Sequence, residues 1–592
     1  MLPKLPYSSV DFFLVLPMFP VRPFVILTLL SSFVLVRAVR ETHGAVACEA
    51  QVCSDVGASI LKLGGNAADA MVATVLCVGT VDGHHSGIGG GGFALVRSPT
   101  GRFTMIDFRE TAPALSNETM YSNNPNPHAS TVGGLAVGVP GELRGLEYLH
   151  KNYGKLPWKT LFQPAIKLAR DGFILSPQIA GGIASIGSTI LNDSSFRAVY
   201  SRNGTLLKSG DTAYRPTYAR TLEAIATSGS DVFYDKRSWI ARASVRAVKN
   251  SKAQRGILSL QDLHDYKVEI REPANINYRG YKLTSTVAPS SGTVVLSALN
   301  ILDGYNLTYY DNALGIKSDS NLTAHRLVES MKYAYGQRTT LGDPKFVGNV
   351  STLELEFLTP QVGAEIRASL SDNSTGPPSR YDPSGYNVLA THGTSHLVTA
   401  DEDGLVVSLT TTINLYFGSL IMVPETGVIL NNEMDDFSSP GSSNSFGYIA
   451  TPANYIVPGK RPLSSMSPLI AEDAEGTFVF ATGAAGGSAI ITANLQVTHH
   501  YLDHGLSAQQ AIDQPRLHDQ IFPQTTTVEY SSVPQHVIGY PNSTAAFLAK
   551  LGHNISYVAP GVSVSAVIGF RDGCFDPAAD PRILGSGFAI VD

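Results

Sequence analysis

The sequence has few cysteines and no concentrated positive charge, and both shortages exclude classes of protein. Four cysteines occur in 592 residues, and no C-x-x-C pair or Cys/His cluster has metal-ligand spacing, which argues against a zinc site. The formal net charge is −6 and no Lys/Arg run stands out, so nucleic acid is not an expected partner. The sequence also lacks a G-x-S-x-G motif, which disfavours a serine hydrolase.

The chain is nevertheless rich enough in apolar residues to form a large globular protein. Hydrophobic residues make up 43% and charged residues 16% of it. A chain of this length exceeds what one hydrophobic core supports, so at least two layers or lobes are expected.

The N-terminus is apolar but contains no uninterrupted stretch of membrane-spanning length. The cleanest part, residues 24–36, follows three prolines and is short for a span, although it suits the hydrophobic region of a signal peptide. We therefore expect residues 1–40 to be a signal peptide or a signal anchor; a buried core helix is the alternative. Export is also indicated by nine N-x-[ST] sequons, at Asn117, Asn192, Asn203, Asn306, Asn321, Asn349, Asn373, Asn542 and Asn554.

Secondary-structure patterns change along the chain. Residues 54–81 predict helix interrupted at Gly64-Gly65, a glycine-rich run follows at 87–92, and residues 93–97 and 103–108 predict two strands. Residues 143–366 predict mainly helix. Residues 372–386, rich in Ser, Pro and Gly, resemble a linker. Strand patterns are expected to dominate from there to residue 481, followed by a glycine turn and a helix from about Ala489 to His504.

A predicted hairpin after this linker carries a cluster of hydroxyl groups. Residues 396–400 and 405–414 predict strands, and residues 401–404 predict the turn. A loop of Glu402-Asp403 pairs Thr394 with Thr411, whereas a loop of Asp403-Gly404 pairs it with Ile413. Both registers keep Thr412 within one position of the partner of Thr394. Threonine is also simply a good strand residue, so the hairpin alone does not assign a function.

Other polar groups suit a reaction at this hairpin. A threonine becomes a nucleophile when its own α-amine is the base, which requires cutting the Gly393–Thr394 bond. The loop at 481–488, between a predicted strand and helix, could offer backbone N–H groups to an oxyanion; it matches no phosphate-loop pattern. Arg109 could pair with a carboxylate, and the acidic and amide residues at 431–436 could hold an ammonium ion, although each is also common on surfaces.

With these residues in view, the chain resembles the γ-glutamyltransferases from about His43 to the C-terminus. The resemblance rests on ordered motifs: GGNAAD (64–69), the glycine run, RETAP (109–113), GDPKF (342–346), GTSHL (393–397), TINLYFG (412–418), LNNEMDDFS (430–438), PGKRPLSSM (458–466) and GAAGG (483–487). It implies an N-terminal nucleophile hydrolase, an α+β fold with a four-layer αββα sandwich. A precursor would mature into a large subunit, 41–393, and a small catalytic subunit, 394–592, which form a heterodimer.

The resemblance also implies residue roles. Thr394 would be the nucleophile and Thr412 would position it, while Gly486 and Gly487 would form the oxyanion hole. Substrate binding would use Arg109, Ser464 and Ser465 for the α-carboxylate, Asn414, Glu433 and Asp436 for the α-ammonium, and Tyr416 on a lid. Cys53 and Cys77 match positions that form a disulfide in animal members.

The implied reaction is the cleavage of glutathione and related γ-glutamyl compounds. A threonyl γ-glutamyl ester would pass its acyl group to water or to amino-acid or dipeptide acceptors, without a metal or organic cofactor. The expected location is the secretory pathway, outside the cell or in a vacuolar or other lumenal space, either free or membrane-anchored. Two alternatives remain: a related acylase that accepts glutaryl side chains, and an uncleaved, inactive relative that serves as a binding protein.

Overall fold

A computed structural model describes residues 42–122, 124–307, 320–386, 393–441, 450–535 and 537–592. The predicted leader, residues 1–40, lies outside this part of the chain. Among the described residues, no helix has the length and apolar character needed to cross a membrane.

The strands are β1 (Gly44–Cys48), β2 (Gly91–Arg97), β3 (Phe103–Asp107), β4 (Phe173–Ile174), β5 (Ser201–Arg202), β6 (Thr205–Leu206), β7 (Thr212–Ala213), β8 (Glu269–Arg271), β9 (Ala274–Tyr278), β10 (Tyr281–Ser285), β11 (Gly393–Asp401), β12 (Val406–Asn414), β13 (Leu469–Glu472), β14 (Phe478–Ala485), β15 (Leu517–His518), β16 (Thr526–Glu529), β17 (Ile555–Val558), β18 (Val564–Arg571), β19 (Cys574–Ala579) and β20 (Gly587–Val591).

The helices are α1 (Gln51–Lys62), α2 (Ala67–Val81), α3 (Glu142–Tyr153), α4 (Trp158–Asp171), α5 (Pro177–Ser185), α6 (Gly187–Asn192), α7 (Ser194–Tyr200), α8 (Pro216–Ser228), α9 (Asp231–Tyr234), α10 (Trp239–Lys249), α11 (Leu260–Asp265), α12 (Gly292–Leu302), α13 (Ser320–Arg338), α14 (Val350–Phe357), α15 (Pro360–Ser369), α16 (Pro378–Tyr381), α17 (Ala489–Leu502), α18 (Ala508–Asp513) and α19 (Asn542–Lys550). Short 3₁₀ turns cover Gly134–Ala136, Glu433–Asp436 and Pro452–Asn454.

Two antiparallel sheets pack face to face and form the centre of the fold. The first sheet has the order β20-β1-β11-β12-β2-β3-β8, and the second has the order β19-β18-β14-β13-β10-β9. Strands β11 and β12 pack against β14, and a buried apolar layer fills the space between the sheets, including Leu95, Val398, Ile470, Ala481 and Ile568. Helix α2 covers the first sheet, while α12 and α17 cover the second. The predicted αββα sandwich is therefore confirmed.

Both sheets mix strands from the two sides of the Gly393–Thr394 bond. In the first sheet, β11 lies between β1 and β12, and β12 lies between β11 and β2. In the second, β9 and β10 precede the bond and their four partner strands follow it. The bond is thus not a boundary between separately folded domains, and the predicted subunits 41–393 and 394–592 would share one core.

The helical stretch near the N-terminus folds as two helices, as predicted. Gly64 takes a positive φ of 86° between α1 and α2, and Asn66 starts α2 with a capping box to Asp69. A disulfide joins Cys53 of α1 to Cys77 of α2, so the pairing implied by the family resemblance is confirmed.

Both predicted hairpin registers are wrong by one residue. Asp401 and Leu405 close the turn through a backbone hydrogen bond of 3.1 Å, which leaves a three-residue loop rather than a two-residue one. Gly404, at a φ of 83°, supplies the left-handed residue that such a loop needs. Thr394 therefore pairs directly with Thr412, and a bulge between Gly393 and Thr394 shifts Gly393 opposite Asn414.

Three other regions differ from the sequence-based expectation. The hairpin of β9 and β10 lies within the region expected to be helical, and the backbone turns at Arg279 and Gly280, both at positive φ. Between β12 and β13 the described residues form no extended strand, only loops, bridges and two 3₁₀ turns. The linker-like stretch is anchored: Tyr381 is buried, and its hydroxyl donates to Glu329 Oε2 at 2.7 Å.

Candidate active site

Thr394 lies at the start of β11, buried within the first sheet. The residue is 5% exposed, and the following residues of the strand are also buried. Gly393 precedes it in close contact with β12, because a Cβ on Gly393 would lie 2.0 Å from the carbonyl oxygen of Asn414. The bond predicted to be cut therefore lies at the first residues of an interior strand, and there is no room for a side chain on Gly393.

Thr412 contacts the carbonyl of the residue before Thr394. The hydroxyl of Thr412 donates a hydrogen bond to the carbonyl oxygen of Gly393 and accepts one from the backbone N–H of Asn414 at 2.7 Å. Because a hydroxyl has one proton to donate, these two contacts fix its orientation toward Gly393. In the uncut chain Thr412 thus binds the carbonyl of the Gly393–Thr394 bond.

Arg109, Glu433 and Asp436 meet in one buried group. Arg109 follows β3, and both acidic residues lie in the 3₁₀ turn. The guanidinium donates hydrogen bonds from Nη1 to Glu433 and from Nη2 to Asp436. Its Nε donates a third, to the carbonyl oxygen of Pro462 at 3.3 Å. The predicted carboxylate-binding arginine and the predicted ammonium-binding acids are therefore paired with each other.

This group contains more acidic than basic side chains. A third carboxyl group, Glu110, lies 3.8 Å from Arg109 Nη1. Burial raises the pKa of Glu110 to about 8, and it also raises the pKa values of Glu433 and Asp436 despite the nearby guanidinium. Burial therefore disfavours the ionised forms of three carboxyl groups beside one guanidinium, and a positively charged ligand would stabilise those ionised forms.

Asn414 and Glu433 each present an acceptor atom that has no partner among the described residues. Asn414 is fully buried at a positive φ of 73°, and its amide nitrogen donates to the carbonyl of Asn432 at 3.0 Å. Its Oδ1 and the Oε2 of Glu433 are both buried without a hydrogen-bond donor. Unsatisfied buried acceptors are costly, and an ammonium group would satisfy them.

Ser464 and Ser465 are buried on a segment beside this group. The backbone N–H of Ser464 donates to the carbonyl of Pro289 at 2.7 Å, while the hydroxyl of Ser465 accepts from Arg338 Nη2 at 3.0 Å. Burial raises the pKa of Asp436, and the charge of Arg338 partly offsets that rise, so a second guanidinium lies near the site. The sequence analysis missed Arg338, which sits at the end of α13 and belongs to no motif.

Gly486 and Gly487 form the turn between β14 and α17. Their φ values are 125° and 62°, and a Cβ on Gly486 would lie 2.2 Å from the carbonyl oxygen of Val562. Since β14 packs against β11, this turn belongs to the sheet facing the one that carries Thr394. The predicted strand before it extends further than expected, to Ala485.

Tyr416 packs against histidines that the sequence analysis did not single out. The Tyr416 ring lies 5.3 Å from that of His84 and 5.9 Å from that of His85. His85 Nδ1 lies 3.2 Å from the hydroxyl of Ser395, which also donates to Glu49. These buried groups support the residue after Thr394, and only their three-dimensional proximity identifies them.

The two-sheet sandwich with a buried threonine at a candidate cleavage point has the fold of an N-terminal nucleophile hydrolase. A cephalosporin acylase from Bacillus halodurans shares it, with a TM-score of 0.77 at 25% identity over 98% of this chain and 99% of that one. The Helicobacter pylori gamma-glutamyltranspeptidase structure matches with a TM-score of 0.51 at 32% identity, over 56% of this chain and 92% of that one.

Sequence comparison identifies the family. The family model described as Gamma-glutamyltranspeptidase matches residues 53–590. A "Glutathione hydrolase proenzyme" of Arthroderma benhamiae is 44% identical over 93% of both chains, and "Glutathione hydrolase 3" of Arabidopsis thaliana is 40% identical over 90% of this chain and 81% of its own. The chain belongs to the gamma-glutamyltranspeptidase family.

Proposed function

We propose that this enzyme cleaves the γ-glutamyl bond of glutathione and its conjugates through an ester on Thr394, after cutting its own chain before that residue. The observation that carries the proposal is the hydrogen bond from Thr412 to the carbonyl of Gly393, because it polarises the one peptide bond whose cleavage frees the amine of Thr394. The resulting subunits are 41–393 and 394–592.

The self-cleavage follows from the chemistry of a hydroxyl beside a polarised carbonyl. Thr394 Oγ attacks the carbonyl carbon of Gly393, and the hydrogen bond from Thr412 stabilises the developing oxyanion. The peptide C–N bond breaks, the nitrogen takes the proton, and water hydrolyses the ester. Thr394 is then an N-terminal residue whose amine can accept the proton of its own hydroxyl.

Substrate turnover repeats this acyl transfer on an external γ-glutamyl group. The N–H groups of Gly486 and Gly487 are the proposed oxyanion donors, and Tyr416 is the proposed lid residue. Thr394 forms the γ-glutamyl ester and the amine leaves. Water or the amine of an amino acid or dipeptide then takes the acyl group. Each step needs only proton transfers within the site.

Recognition of the glutamyl end is supported by the paired charges. Asn414, Glu433 and Asp436 are proposed to bind the α-ammonium, since two of them present buried acceptor atoms without donors. Arg109 directs three N–H bonds to its protein partners in the described chain, which leaves two of its five for the α-carboxylate. The hydroxyls of Ser464 and Ser465 would complete that carboxylate site.

The acylase alternative fits this arrangement less well. A glutaryl side chain carries no ammonium group, so it would leave the buried acceptors of Asn414 and Glu433 unsatisfied. The relatives named glutathione hydrolase are also more similar in sequence than the cephalosporin acylase, at 40–44% against 25% identity.

We also propose that the chain enters the secretory pathway through residues 1–40, kept as an anchor or removed. The disulfide between Cys53 and Cys77 suits an oxidising compartment. Eight of the nine sequon asparagines are exposed, and Asn321 is half-buried, so glycans could be accommodated at most of them.

Replacement of the nucleophile tests the proposal. Wild type should give two bands on a denaturing gel and release the chromophore from a γ-glutamyl anilide, whereas Thr394→Ala should stay single and inactive. Thr399→Ala is the matched control, since it makes the same change at a buried position of the same strand. A wild-type chain that never splits, or activity in Thr394→Ala, would overturn the proposal.

A further inference from the structure

Three histidines cluster at the C-terminal end of α17, away from the proposed active site. His499 and His500 lie in the last turn of the helix, and His504 follows it by two residues. One ring nitrogen of each lies within 4.8 Å of those of the other two. The cluster belongs to none of the family motifs, and the spacing of the cysteines has no bearing on a site made of histidines alone.

His499 is oriented in the way that metal-bound histidines are. Its Nδ1 pairs with Asp503 Oδ2 at 2.9 Å, and Asp503 is itself held by the hydroxyl of Tyr278 and by Arg279 Nε, both at 2.6 Å. A carboxylate on one nitrogen fixes the ring and its tautomer and leaves the other nitrogen to bind a cation. That other nitrogen, Nε2, is buried without a hydrogen-bond partner among the described residues.

The other two rings complete a set of three donors. His500 is 9% exposed and its Nε2 is also buried without a partner, while its Nδ1 lies 3.5 Å from His504 Nδ1. The His504 ring donates a hydrogen bond to the backbone carbonyl of Leu307, which restrains the orientation of the ring. His504 is half-buried, so solvent and ions reach the cluster from its side.

The surrounding charges do not prevent a cation from binding. Burial lowers the pKa of His500, and the positive charges of Arg516 and Arg582 lower it further, so both guanidinium groups lie near this ring. Both pair with Asp580, and Arg582 also pairs with Glu529. The C-terminal end of α17 adds the partial negative charge of the helix dipole.

A second group with a similar composition lacks these properties. His325, Glu329 and His553 also bring potential ligand atoms within 4.8 Å. However, all four of its ring nitrogens have partners, and one of them faces the ammonium of Lys332 at 3.4 Å. This group is explained as a hydrogen-bonded core network, whereas His499 and His500 of the α17 cluster each keep one buried ring nitrogen without a partner among the described residues.

We propose that His499, His500 and His504 bind one divalent transition-metal ion of the zinc and copper class. Imidazole nitrogens are the ligands such ions prefer, and three of them leave one position of a tetrahedral site for water. The fourteen-residue α17 places the cluster about 20 Å from the glycine turn at its other end. The ion would therefore stabilise the fold rather than take part in the acyl transfer.

The test measures zinc binding to the full-length protein purified without a polyhistidine tag. Protein stripped with EDTA is dialysed against micromolar zinc and then against zinc-free buffer, and retained metal is measured by mass spectrometry. Wild type should retain about one equivalent and melt at a higher temperature with zinc than without. His504→Gln should bind zinc at least about 10-fold more weakly, since it removes one ligand.

Two further variants make the result decisive. His128→Gln replaces an exposed histidine outside the cluster and should bind zinc as wild type does. Asp503→Asn keeps all three ligands but weakens the orientation of His499, and should lower zinc affinity about 10- to 100-fold. Zinc retention that is absent in wild type, or equal in wild type and His504→Gln, would overturn the proposal.

Discussion

The hydroxyl of Thr412 gives the sharpest test of how the precursor matures. It is the only side-chain donor that the described chain directs at the carbonyl of Gly393. Thr412→Val keeps the shape of the side chain and removes this donor. Loss of one oxyanion donor slows acyl transfer by about 10²- to 10³-fold, which corresponds to about 2.7–4 kcal/mol of barrier. We expect cleavage of the Gly393–Thr394 bond to slow by that factor.

The assay follows the precursor band on denaturing gels after expression is stopped. The substitution also leaves the buried N–H of Asn414 without its acceptor, which costs about 1–3 kcal/mol of stability, so melting temperature is measured in parallel. Thr412→Ser restores a hydroxyl at the same position and should cleave within about 10-fold of the wild-type rate. A Thr412→Val chain that folds and cleaves as fast as wild type would refute the role assigned to this contact.

Three further predictions concern binding and stability. Arg109→Lys should raise the KM for a γ-glutamyl anilide about 10- to 100-fold, because one ammonium group cannot replace a guanidinium that bonds to both Glu433 and Asp436. An unchanged KM would contradict this prediction. Replacing Cys53 and Cys77 together by Ala should lower the free energy of unfolding by about 3.5 kcal/mol, which is the entropic stabilisation expected from closing a loop with a sequence separation of 24 residues. Denaturant unfolding curves that overlay those of wild type would contradict this prediction. Burial raises the pKa of Glu142 from 4.5 to about 8, so its contribution to stability is present below pH 4.5 and is lost as pH rises through 8. Glu142→Gln should therefore gain in melting temperature relative to wild type between pH 5 and 9, and a constant difference would contradict this.

The sequence predicted the elements whose patterns are local. Helices α1 and α2, separated at Gly64, lie where the helical pattern and the glycine positions predict them, and α13 lies within the stretch 143–366 that was predicted to be mainly helical. The hairpin register was not determined, because a one-residue change in loop length moves every pairing and the sequence around Asp403 allows several turns. The hairpin of β9 and β10 was missed, although its alternating burial and the turn at Gly280 are typical of a half-buried hairpin.

Some residues of the site were likewise predicted from the sequence, and others were missed. The resemblance to the family named Arg109, Glu433 and Asp436 from positions far apart in the chain, and the structure brings the three together. The resemblance did not indicate that Arg109 would pair with the two acids, since that depends on how the fold places the 3₁₀ turn beside the segment that follows β3. Arg338 and the contact between Glu49 and Ser395 were missed because each depends on tertiary proximity alone.

The most direct test of the central claim is the N-terminal sequence of the smaller fragment of the active enzyme. The account predicts that Edman degradation reads Thr-Ser-His-Leu-Val, with Thr394 first. A fragment that begins at any other residue, or γ-glutamyl transfer by a chain that stays whole, would contradict it.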